Sequence, residues 1–464
     1  MRTTLEQSLK LNEEELKSLV SSIESKSSTN DFGGYVEQLK QTPLKSINEL
    51  GIPIAVKDNI NVLSWEMNCG SKILEGYISP YNATVITKLK NNGFIPLGVT
   101  NMDELAMGST TATSIHGKTT NPHNIECVPG GSSGGSASVV ASGHAIAALG
   151  SDTGGSIRQP AAFCGVVGFK PSYGHVSRYG LSAYSSSLDQ IGPITQNVTD
   201  AAILYDAIKG YDELDSTSCN IELESSYDNL DKNKKYTIGI VKGYIEQCEP
   251  DLKKDIYASI DKLQSAGHTI KEIELFDTKI AISSYYIMAT AEASANLARL
   301  DGVRYGYRHS NPKDLEEMYV KSRSAGFGKE VKRRIMLGTF VLSSGYYDAY
   351  YKKSKEIQKY VKSKFRETFN SCDLVLMPVA PTTAFKFDAE LSPLEMYLND
   401  IFTISVNIAG LPGMSIPIGK DSNGLPTALQ LISTERDEQK IFNCGLNLEE
   451  LVNYQSNINN EGDI

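Results

Sequence analysis

The sequence lacks the features that mark several classes of protein. No run of about 18 consecutive apolar residues is present, so no membrane-spanning helix is expected. The N-terminus, residues 1–6, lacks the basic-then-apolar pattern of a secretory signal. The seven cysteines and six histidines are scattered and show no metal-ligand spacing, which predicts no bound metal and reduced thiols in a cytoplasmic protein.

The sequence also has fewer positively than negatively charged residues. The 45 basic residues are outnumbered by 55 acidic ones, giving a net charge of −10 without a basic tail. Strong direct binding of nucleic acid needs clustered Lys and Arg, so this composition argues against it. With 464 residues and 40% hydrophobic content, the chain is long enough for one large globular domain.

Predicted strands and helices alternate along most of the chain. An apolar strand ends at Lys57, residues 83–92 favour a helix, and residues 94–99 favour the next strand. This rhythm predicts an α/β fold. Further predicted strands span 166–170, 236–241, 269–275, 373–378, 414–418 and 428–432; predicted helices span 13–23, 137–149, 252–266, 280–300 and 343–370. Residues 192–194 favour a junction between elements.

We predict one domain without a linker between separate cores. It would span residues 51–455, after an N-terminal helical segment at 1–50 and before a polar C-terminal tail at 456–464.

Two Gly/Ser-rich segments, residues 128–136 and 150–160, are the most informative part of the sequence. Glycines allow a backbone to take positive φ or to approach a ligand closely, so two such turns can direct many N–H groups at one point. Hydroxyls among them are candidates for nucleophilic chemistry. Either segment alone would fit a simple turn, whereas the two together with Lys57 indicate catalysis.

A serine nucleophile needs a base, and no suitable His-Asp arrangement accompanies these segments. His144 lies in an apolar run, where a structural role is the simpler interpretation. Lys57 alone could be a surface lysine at a strand end. A buried, neutral lysine could instead act as the base. We then expect Ser156 to attack, Ser132 to pass the proton and Lys57 to accept it.

The N–H groups of one short turn would form the oxyanion hole of this reaction. The turn is Thr153, Gly154, Gly155 and Ser156.

Residues 130–136 followed by 151–158 resemble the amidase signature family, and the likeness extends from about residue 51 to about residue 435. The resemblance implies a Ser–cis-Ser–Lys triad of Ser156, Ser132 and Lys57, with a cis peptide bond between Gly131 and Ser132. It also implies the family fold, in which a mixed, many-stranded β-sheet lies between layers of α-helices in a single large α/β domain.

Later segments are similar to one branch of that family, the glutamine-hydrolysing A subunits of tRNA-dependent amidotransferases. The segments are 177–180, 186–193, 327–335, 344–351 and 393–400. The resemblance implies glutamine as substrate and ammonia transfer to a B subunit, which converts Glu-tRNA(Gln) to Gln-tRNA(Gln) with ATP and Mg²⁺. A small C subunit would complete a heterotrimer, tRNA would lie mainly on the B subunit, and this chain would need no cofactor. Whether Asp-tRNA(Asn) is also served stays open.

The same resemblance implies how glutamine would be held. Arg334 would bind the carboxylate and Asp400 the ammonium, with Tyr286 lining the pocket. Of the neighbours Arg333 and Arg334, one is expected on a solvated helix face. Asp400 could alternatively be an ordinary carboxylate in a loop or at a helix end.

Two other functions compete with this hypothesis. A stand-alone amidase for another small amide would use the same triad without needing a charged pair for an amino acid. A nucleotide-binding protein would use a Gly-rich loop for phosphate, but the one suitable triplet, residues 117–119, follows Ala112 where a P-loop requires glycine.

Overall fold

The computed structural model describes residues 2–36, 51–389, 393–456 and 458. The predicted limits at residue 50 and at residue 464 therefore lie outside the described residues. N-terminal to the gap, the predicted helix at 13–23 is confirmed and extends to residue 29. Its N-cap, Asn12, accepts hydrogen bonds from the N–H groups of Glu14 and Glu15, which explains where the helix begins.

The described strands form one mixed sheet of ten strands, in the order β2-β1-β3-β5-β4-β9-β10-β8-β6-β7. The strands are β1 Ile52–Lys57, β2 Phe94–Thr100, β3 Ala147–Asp152, β4 Val167–Lys170, β5 Gln190–Thr195, β6 Thr237–Ile240, β7 Thr269–Glu272, β8 Leu374–Pro378, β9 Gly413–Lys420 and β10 Pro426–Ser433. The predicted α/β fold is confirmed, as are the strands predicted at 414–418 and 428–432, which pair in antiparallel orientation as β9 and β10.

Helices cover the sheet and carry the residues around the candidate site. They are α1 Leu5–Ser8, α2 Glu13–Thr29, α3 Thr84–Asn91, α4 Gly134–Ala141, α5 Arg158–Cys164, α6 Val198–Ile208, α7 Lys242–Ile245, α8 Pro250–Ser265, α9 Thr278–Asn296, α10 Leu315–Gly326, α11 Lys329–Leu342, α12 Lys353–Phe369, α13 Pro393–Leu398, α14 Ile404–Ala409 and α15 Glu438–Val452. Tyr347–Lys352 forms a π-helical turn before α12, so the predicted helix 343–370 begins later than expected.

Strand β1 brings Lys57 into the interior of the protein. The strand is buried along its whole length because β2 and β3 flank it, both in parallel orientation. Lys57 is fully buried at its carboxyl end. The interpretation of Lys57 as a surface lysine is therefore wrong.

The predicted helix over 137–149 is only half correct. Helix α4 ends at Ala141, and Gly143 turns the chain with a positive φ of 76°. The chain then re-enters the sheet as β3, which pairs with β1 on one side and β5 on the other. Small apolar residues fit either element, and tertiary pairing decides between them.

The predicted junction at 192–194 lies inside β5 instead. Pro193 faces Leu149 on β3, while β4 pairs only with Ile194 and Thr195. Since β4 has no residue registered opposite Pro193, this proline lies where β5 is paired on one side only.

Candidate active site

Lys57 lies among three hydroxyls at the carboxyl end of β1. Its Nζ is 2.8 Å from Ser132 Oγ, 2.8 Å from Ser133 Oγ and 2.9 Å from Ser151 Oγ. Lys57, Ser132 and Ser133 are fully buried. The sequence predicted the contact with Ser132 but missed those with Ser133 and Ser151. Both missed serines belong to the same Gly/Ser-rich segments, which was the available signal.

Burial lowers the pKa of Lys57 to about 7. The negative charges of Asp103, Asp152 and Asp189 oppose this shift, but within the described ranges none of them forms an ion pair with the amine. A lysine with this pKa is about half deprotonated at pH 7 and can then accept a proton.

Ser132 follows a cis peptide bond from Gly131, as the family resemblance implies. The Ser132 carbonyl accepts a hydrogen bond from the N–H of Asp103 at 3.3 Å. Gly131 is closely surrounded, since a Cβ at this position would lie 2.1 Å from Asp103 Oδ2. The loop that presents Ser132 is therefore packed directly against Asp103.

Ser156 lies in the turn after β3 and is partly exposed to a cavity. Its carbonyl accepts a hydrogen bond from the Ser133 N–H at 3.2 Å, which joins the two Gly/Ser-rich segments. Among the described residues, Ser156 Oγ has no hydrogen-bond partner, so it does not hydrogen-bond with Ser132 Oγ. Ser132 is therefore hydrogen-bonded to Lys57, while the turn that contains Ser156 packs against the same loop.

The turn at 153–156 offers fewer open N–H groups than the sequence predicted. The Gly155 N–H donates to Asp152 Oδ1 at 2.8 Å and is therefore already engaged. The N–H groups of Thr153, Gly154 and Ser156 have no acceptor within the part of the chain that the structure describes. These three remain available to stabilise a developing negative charge.

A buried ion pair holds this turn in place. Arg158 Nε lies 3.1 Å from Asp152 Oδ2, and both side chains are fully buried. Burial alone would raise the pKa of Asp152, but the charge and hydrogen bonds of Arg158 lower it to about 2. Arg158 also donates to Asn407 Oδ1, the Thr403 carbonyl and Gln430 Oε1. Both residues belong to the motif at 151–158, but this ion pair was not predicted from the sequence.

A cavity of about 540 Å³ opens beside Ser156. It is lined by Glu104, Ala106, Met107, Gly108, Ser109, Thr110, Thr113, Gly154, Ser156, Tyr285, Tyr286, Gly328, Lys329, Glu330, Arg333, Arg334, Met396, Tyr397 and Asp400. The cavity therefore brings together Ser156 and the residues predicted to bind substrate, which are Arg334, Asp400 and Tyr286.

Arg334 is buried on α11 and is held by two neighbours. Its Nε lies 2.8 Å from Glu330 Oε1, and its Nη1 donates to the Tyr184 hydroxyl at 2.7 Å. The guanidinium also lies 5.6 Å from the ring centroid of Tyr286 and 5.8 Å from that of Tyr397. Its Nη2 has no acceptor among the described side chains and main-chain atoms, which leaves it free to bind an anion.

Asp400 lines the same cavity after α13. Burial raises the pKa of its carboxyl group to about 8, although the charge of Arg334 pulls in the opposite direction. No hydrogen-bond donor to this carboxylate is found in the described ranges. An ammonium group placed in the cavity would supply the missing donor and counter-charge.

Arg333 differs from Arg334 in exposure. Its side chain is 44% exposed, pairs with Glu330 Oε2 at 2.6 Å and lies over the Tyr397 ring. Although Arg333 reaches the cavity rim, Arg334 is the arginine that is buried in the site.

The segment considered for phosphate binding is packed differently. Lys118 Nζ lies 4.3 Å from the ring centroid of Phe387, and the buried Thr119 donates its hydroxyl proton to the Gly33 carbonyl. This arrangement does not present a Gly-rich cradle around an open site. Within the described residues, no group of three or more His, Cys, Asp or Glu side chains could hold a metal ion.

The seven cysteines all lie in described ranges and none forms a disulfide. None of the described helices has the length and apolarity needed to cross a membrane.

Comparison with known proteins agrees with the geometry. A family model described as Amidase matches residues 33–442. A protein of Campylobacter jejuni, named as the A subunit of glutamyl-tRNA(Gln) amidotransferase, is 57% identical over 450 residues, which cover 97% of this chain and 99% of that protein. The protein of the same name from Aliarcobacter butzleri is 56% identical over 452 residues, covering 97% of this chain and 99% of its own length.

Solved structures are also similar to this chain over nearly its whole length. The crystal structure of the glutamyl-tRNA(Gln) amidotransferase A subunit from Thermotoga maritima matches with a TM-score of 0.83 at 39% identity, covering 97% of this chain and 94% of that chain. A bacterial aryl acylamidase of the amidase signature enzymes matches with a TM-score of 0.81 at 21% identity, covering 97% and 96% of the two chains. The second likeness concerns the fold alone.

Proposed function

This chain belongs to the amidase signature family, and we propose that it is the glutamine-hydrolysing subunit of a tRNA-dependent amidotransferase. The observation that carries the proposal is the cavity that holds Ser156, Arg334 and Asp400 together. A free α-amino acid needs an anion site and a cation site beside the reacting carbonyl, and Arg334 and Asp400 supply groups of these two charges. The names of the curated relatives support the same function.

The proposed reaction begins with attack by Ser156. Its Oγ forms a bond to the side-chain carbonyl carbon of glutamine while its proton passes to Ser132, whose own proton passes to Lys57. Lys57 can accept that proton because burial lowers its pKa to about 7. The distance of 2.8 Å between the Ser132 hydroxyl and the amine supports this relay.

Negative charge on the tetrahedral oxygen would be stabilised by open N–H groups of the 153–156 turn. Thr153, Gly154 and Ser156 supply these groups in the proposal, whereas Gly155 helps anchor the turn through Asp152. When the intermediate collapses, the C–N bond breaks and the proton returns through Ser132 to the leaving nitrogen, which departs as ammonia. Water then cleaves the Ser156 ester and releases glutamate.

The chain would act within a larger assembly. We assign it the partners that the relatives' name suggests, namely a B subunit that uses ATP and Mg²⁺ on Glu-tRNA(Gln) and a smaller C subunit in a heterotrimer. The net charge of −10 fits tRNA binding mainly on the partner, and the chain itself needs no cofactor for the reaction above. We propose that this assembly acts in the cytoplasm, where charged tRNA is available.

Replacement of Ser156 by alanine tests the proposal. The purified complex should lose glutamine hydrolysis, by at least about a thousandfold, because the nucleophile is removed. Amidation of Glu-tRNA(Gln) should continue when ammonia is supplied, since only the nitrogen source is lost. Glutamine hydrolysis by the Ser156→Ala complex at the wild-type rate would contradict the assignment.

A stand-alone amidase is the second candidate, because the buried lysine and serines would serve any small amide. The two functions differ in their dependence on partners and on substrate charge. Hydrolysis of neutral amides that lack the α-amino and α-carboxyl groups, at rates equal to glutamine and without the B and C subunits, would favour the stand-alone enzyme.

A further inference from the structure

Glu104 is a buried carboxylate at the wall of the cavity. Its Oε1 and Oε2 lie 2.9 and 3.0 Å from the backbone nitrogen of Gly328, which is 224 residues away in the sequence. Ser71 donates its hydroxyl proton to Oε1 at 2.5 Å. Glu104 is 4% exposed, and no basic side chain in the described ranges forms an ion pair with it. Each of these contacts uses Glu104 as an acceptor, as suits an ionised carboxylate.

Gly328 is the N-cap residue of α11 and has no side chain with which to cap the helix. In a capping box, the side chain at the third helical position accepts the N-cap N–H, but Val331 occupies that position here. Glu104 makes this contact instead, and its charge lies at the positive end of the helix dipole.

Space is reserved for this contact. A Cβ at Gly328 would lie 2.1 Å from Glu104 Oε2, so a larger residue there would force the carboxylate to move. The backbone of Gly328 is extended, with φ −71° and ψ 175°, a conformation that serine also adopts at helix N-caps. The glycine thus leaves room for the neighbouring carboxylate, while its own backbone conformation does not require it.

The first turns of α11 carry the charged groups of the candidate binding site. Glu330 and Arg334 lie one turn apart and are joined by an ion pair, and both line the cavity. A shift of the helix start would therefore move the guanidinium that faces the cavity.

Asp103, the residue before Glu104, contacts the loop that carries Ser132. The N–H of Asp103 donates to the Ser132 carbonyl, and its carboxylate accepts the N–H groups of Thr110 and Thr111. After Glu104, Leu105 and Ala106 have φ values of +52° and +61°, a strained conformation for residues with a Cβ. The contacts of Asp103 with the Ser132 loop and of Glu104 with Gly328 hold this segment in that conformation.

From this geometry, and resting on the proposed function, we infer that Glu104 is a positioning residue that sets the location of Arg334 for glutamine binding. In this role it acts through the N-terminus of α11. Glu104 and Asp103 together would tie the anion site to the loop of Ser132.

Replacement of Glu104 by methionine, which is of similar length, tests the inference. The thioether offers no strong acceptor to the Gly328 N–H, so KM for glutamine should rise about tenfold while kcat stays within about twofold. The matched control is Glu316→Met, which removes an exposed carboxylate from the first turn of the neighbouring helix α10. Equal KM values for the two variants would overturn the inference.

A rescue experiment separates positioning from general destabilisation. In the wild-type background, Gly328→Ser should raise KM because its Cβ meets Glu104 Oε2. In a Glu104→Ala background the space is open and the serine can cap α11 itself, so the same substitution should recover at least about half of the lost affinity on a logarithmic scale. Gly328→Ser with the same unfavourable effect in both backgrounds would contradict the inference.

Amide hydrogen exchange supplies a readout that needs no activity. The Gly328 N–H should exchange at least about tenfold faster in Glu104→Met than in Glu316→Met, because only the former loses its acceptor. Unchanged exchange would refute the cap even if the wild-type chain hydrolyses glutamine. Failure of the wild-type complex to hydrolyse glutamine would instead refute the proposed function, with the exchange result still deciding on the cap.

Discussion

Lys57 and Asp400 are the titratable residues on which the proposed chemistry most depends. Burial moves the pKa of each toward neutrality, to about 7 for the lysine and about 8 for the aspartate. Both groups must be deprotonated, the lysine to accept a proton and the aspartate to bind an ammonium. Acidification therefore affects activity through both residues in the same direction.

We expect kcat/KM for glutamine to fall as the pH is lowered below about 8, and to fall more steeply than tenfold per unit below about 7. Bound ammonium lowers the pKa of Asp400, so kcat should fall at most about tenfold per unit and report mainly Lys57. Steady-state rates from about pH 5.5 to about pH 9 would check both profiles.

Asp400→Asn is the control for this pH dependence. It should weaken glutamine binding but leave a kcat/KM profile governed by a single group. A profile for the wild-type complex that is flat between about pH 6 and about pH 8 would contradict the assigned role of Lys57.

Arg334 and Arg333 provide a matched pair one residue apart. Arg334→Ala should raise KM for glutamine about 10- to 100-fold, because a hydrogen bond to a charged group contributes about 1.5–3 kcal/mol. Arg333→Ala should raise KM less than about threefold, since its exposed ion pair contributes about 1 kcal/mol or less. Glutamine titrations at constant pH measure both, and equal or reversed effects would show that Arg334 is not the carboxylate ligand.

At the scale of elements, the loop before α4 and the segment beginning at Asp103 are in tight contact. Replacement of Gly131 by alanine would place a Cβ 2.1 Å from Asp103 Oδ2 and 2.6 Å from the Thr110 nitrogen. We expect kcat/KM to fall at least about a hundredfold, since relief of such overpacking costs about 1–3 kcal/mol and displaces the loop that holds Ser132.

Gly243→Ala in α7 is the control, because no atom lies within 4 Å of a Cβ at that position. It should retain wild-type glutamine hydrolysis. Wild-type kinetics for Gly131→Ala would show that the close packing of Gly131 against Asp103 does not constrain the loop that carries Ser132.

Elements with a clear sequence pattern were predictable. The apolar runs that form β1, β2 and the β9–β10 pair differ plainly from their polar surroundings, and the structure confirms them. The run at 137–149 was not, because small apolar residues fit a helix and a buried strand equally well and only pairing with β1 and β5 decides. The π-helical turn before α12 has no comparable sequence signal.

The candidate site divides in a similar way. Motif residues near in sequence, such as Ser132 and Ser156, could be predicted together. Glu104 could not be connected with Gly328, because their contact joins positions 224 residues apart through backbone atoms that carry no sequence signature. The engagement of Gly155 by Asp152 was likewise invisible until the turn geometry was known.

At the scale of the whole molecule, the Asp152–Arg158 pair connects the turn at 153–156 to distant parts of the chain. Arg158→Met would leave Asp152 buried without its counter-charge, so the free energy of unfolding should fall by about 3–5 kcal/mol. Chemical denaturation monitored by circular dichroism would measure this change. An unfolding free energy within about 0.5 kcal/mol of wild type would contradict the importance of the pair.

The double variant Asp152→Leu with Arg158→Met separates stability from function. Apolar replacement of both charges can recover stability, but no carboxylate remains to accept the Gly155 N–H. We therefore expect partial recovery of the unfolding free energy without recovery of glutamine hydrolysis.

The reach of Arg158 also bears on when the enzyme becomes active during its synthesis. Its guanidinium binds Thr403, Asn407 and Gln430, which leave the ribosome hundreds of residues after the motif that contains Ser156. A nascent chain in which both Gly/Ser-rich segments have been synthesised still lacks the residues that hold Arg158. Arg158 in turn holds Asp152, which anchors the turn at 153–156. We therefore expect glutamine hydrolysis to begin only when translation is almost complete.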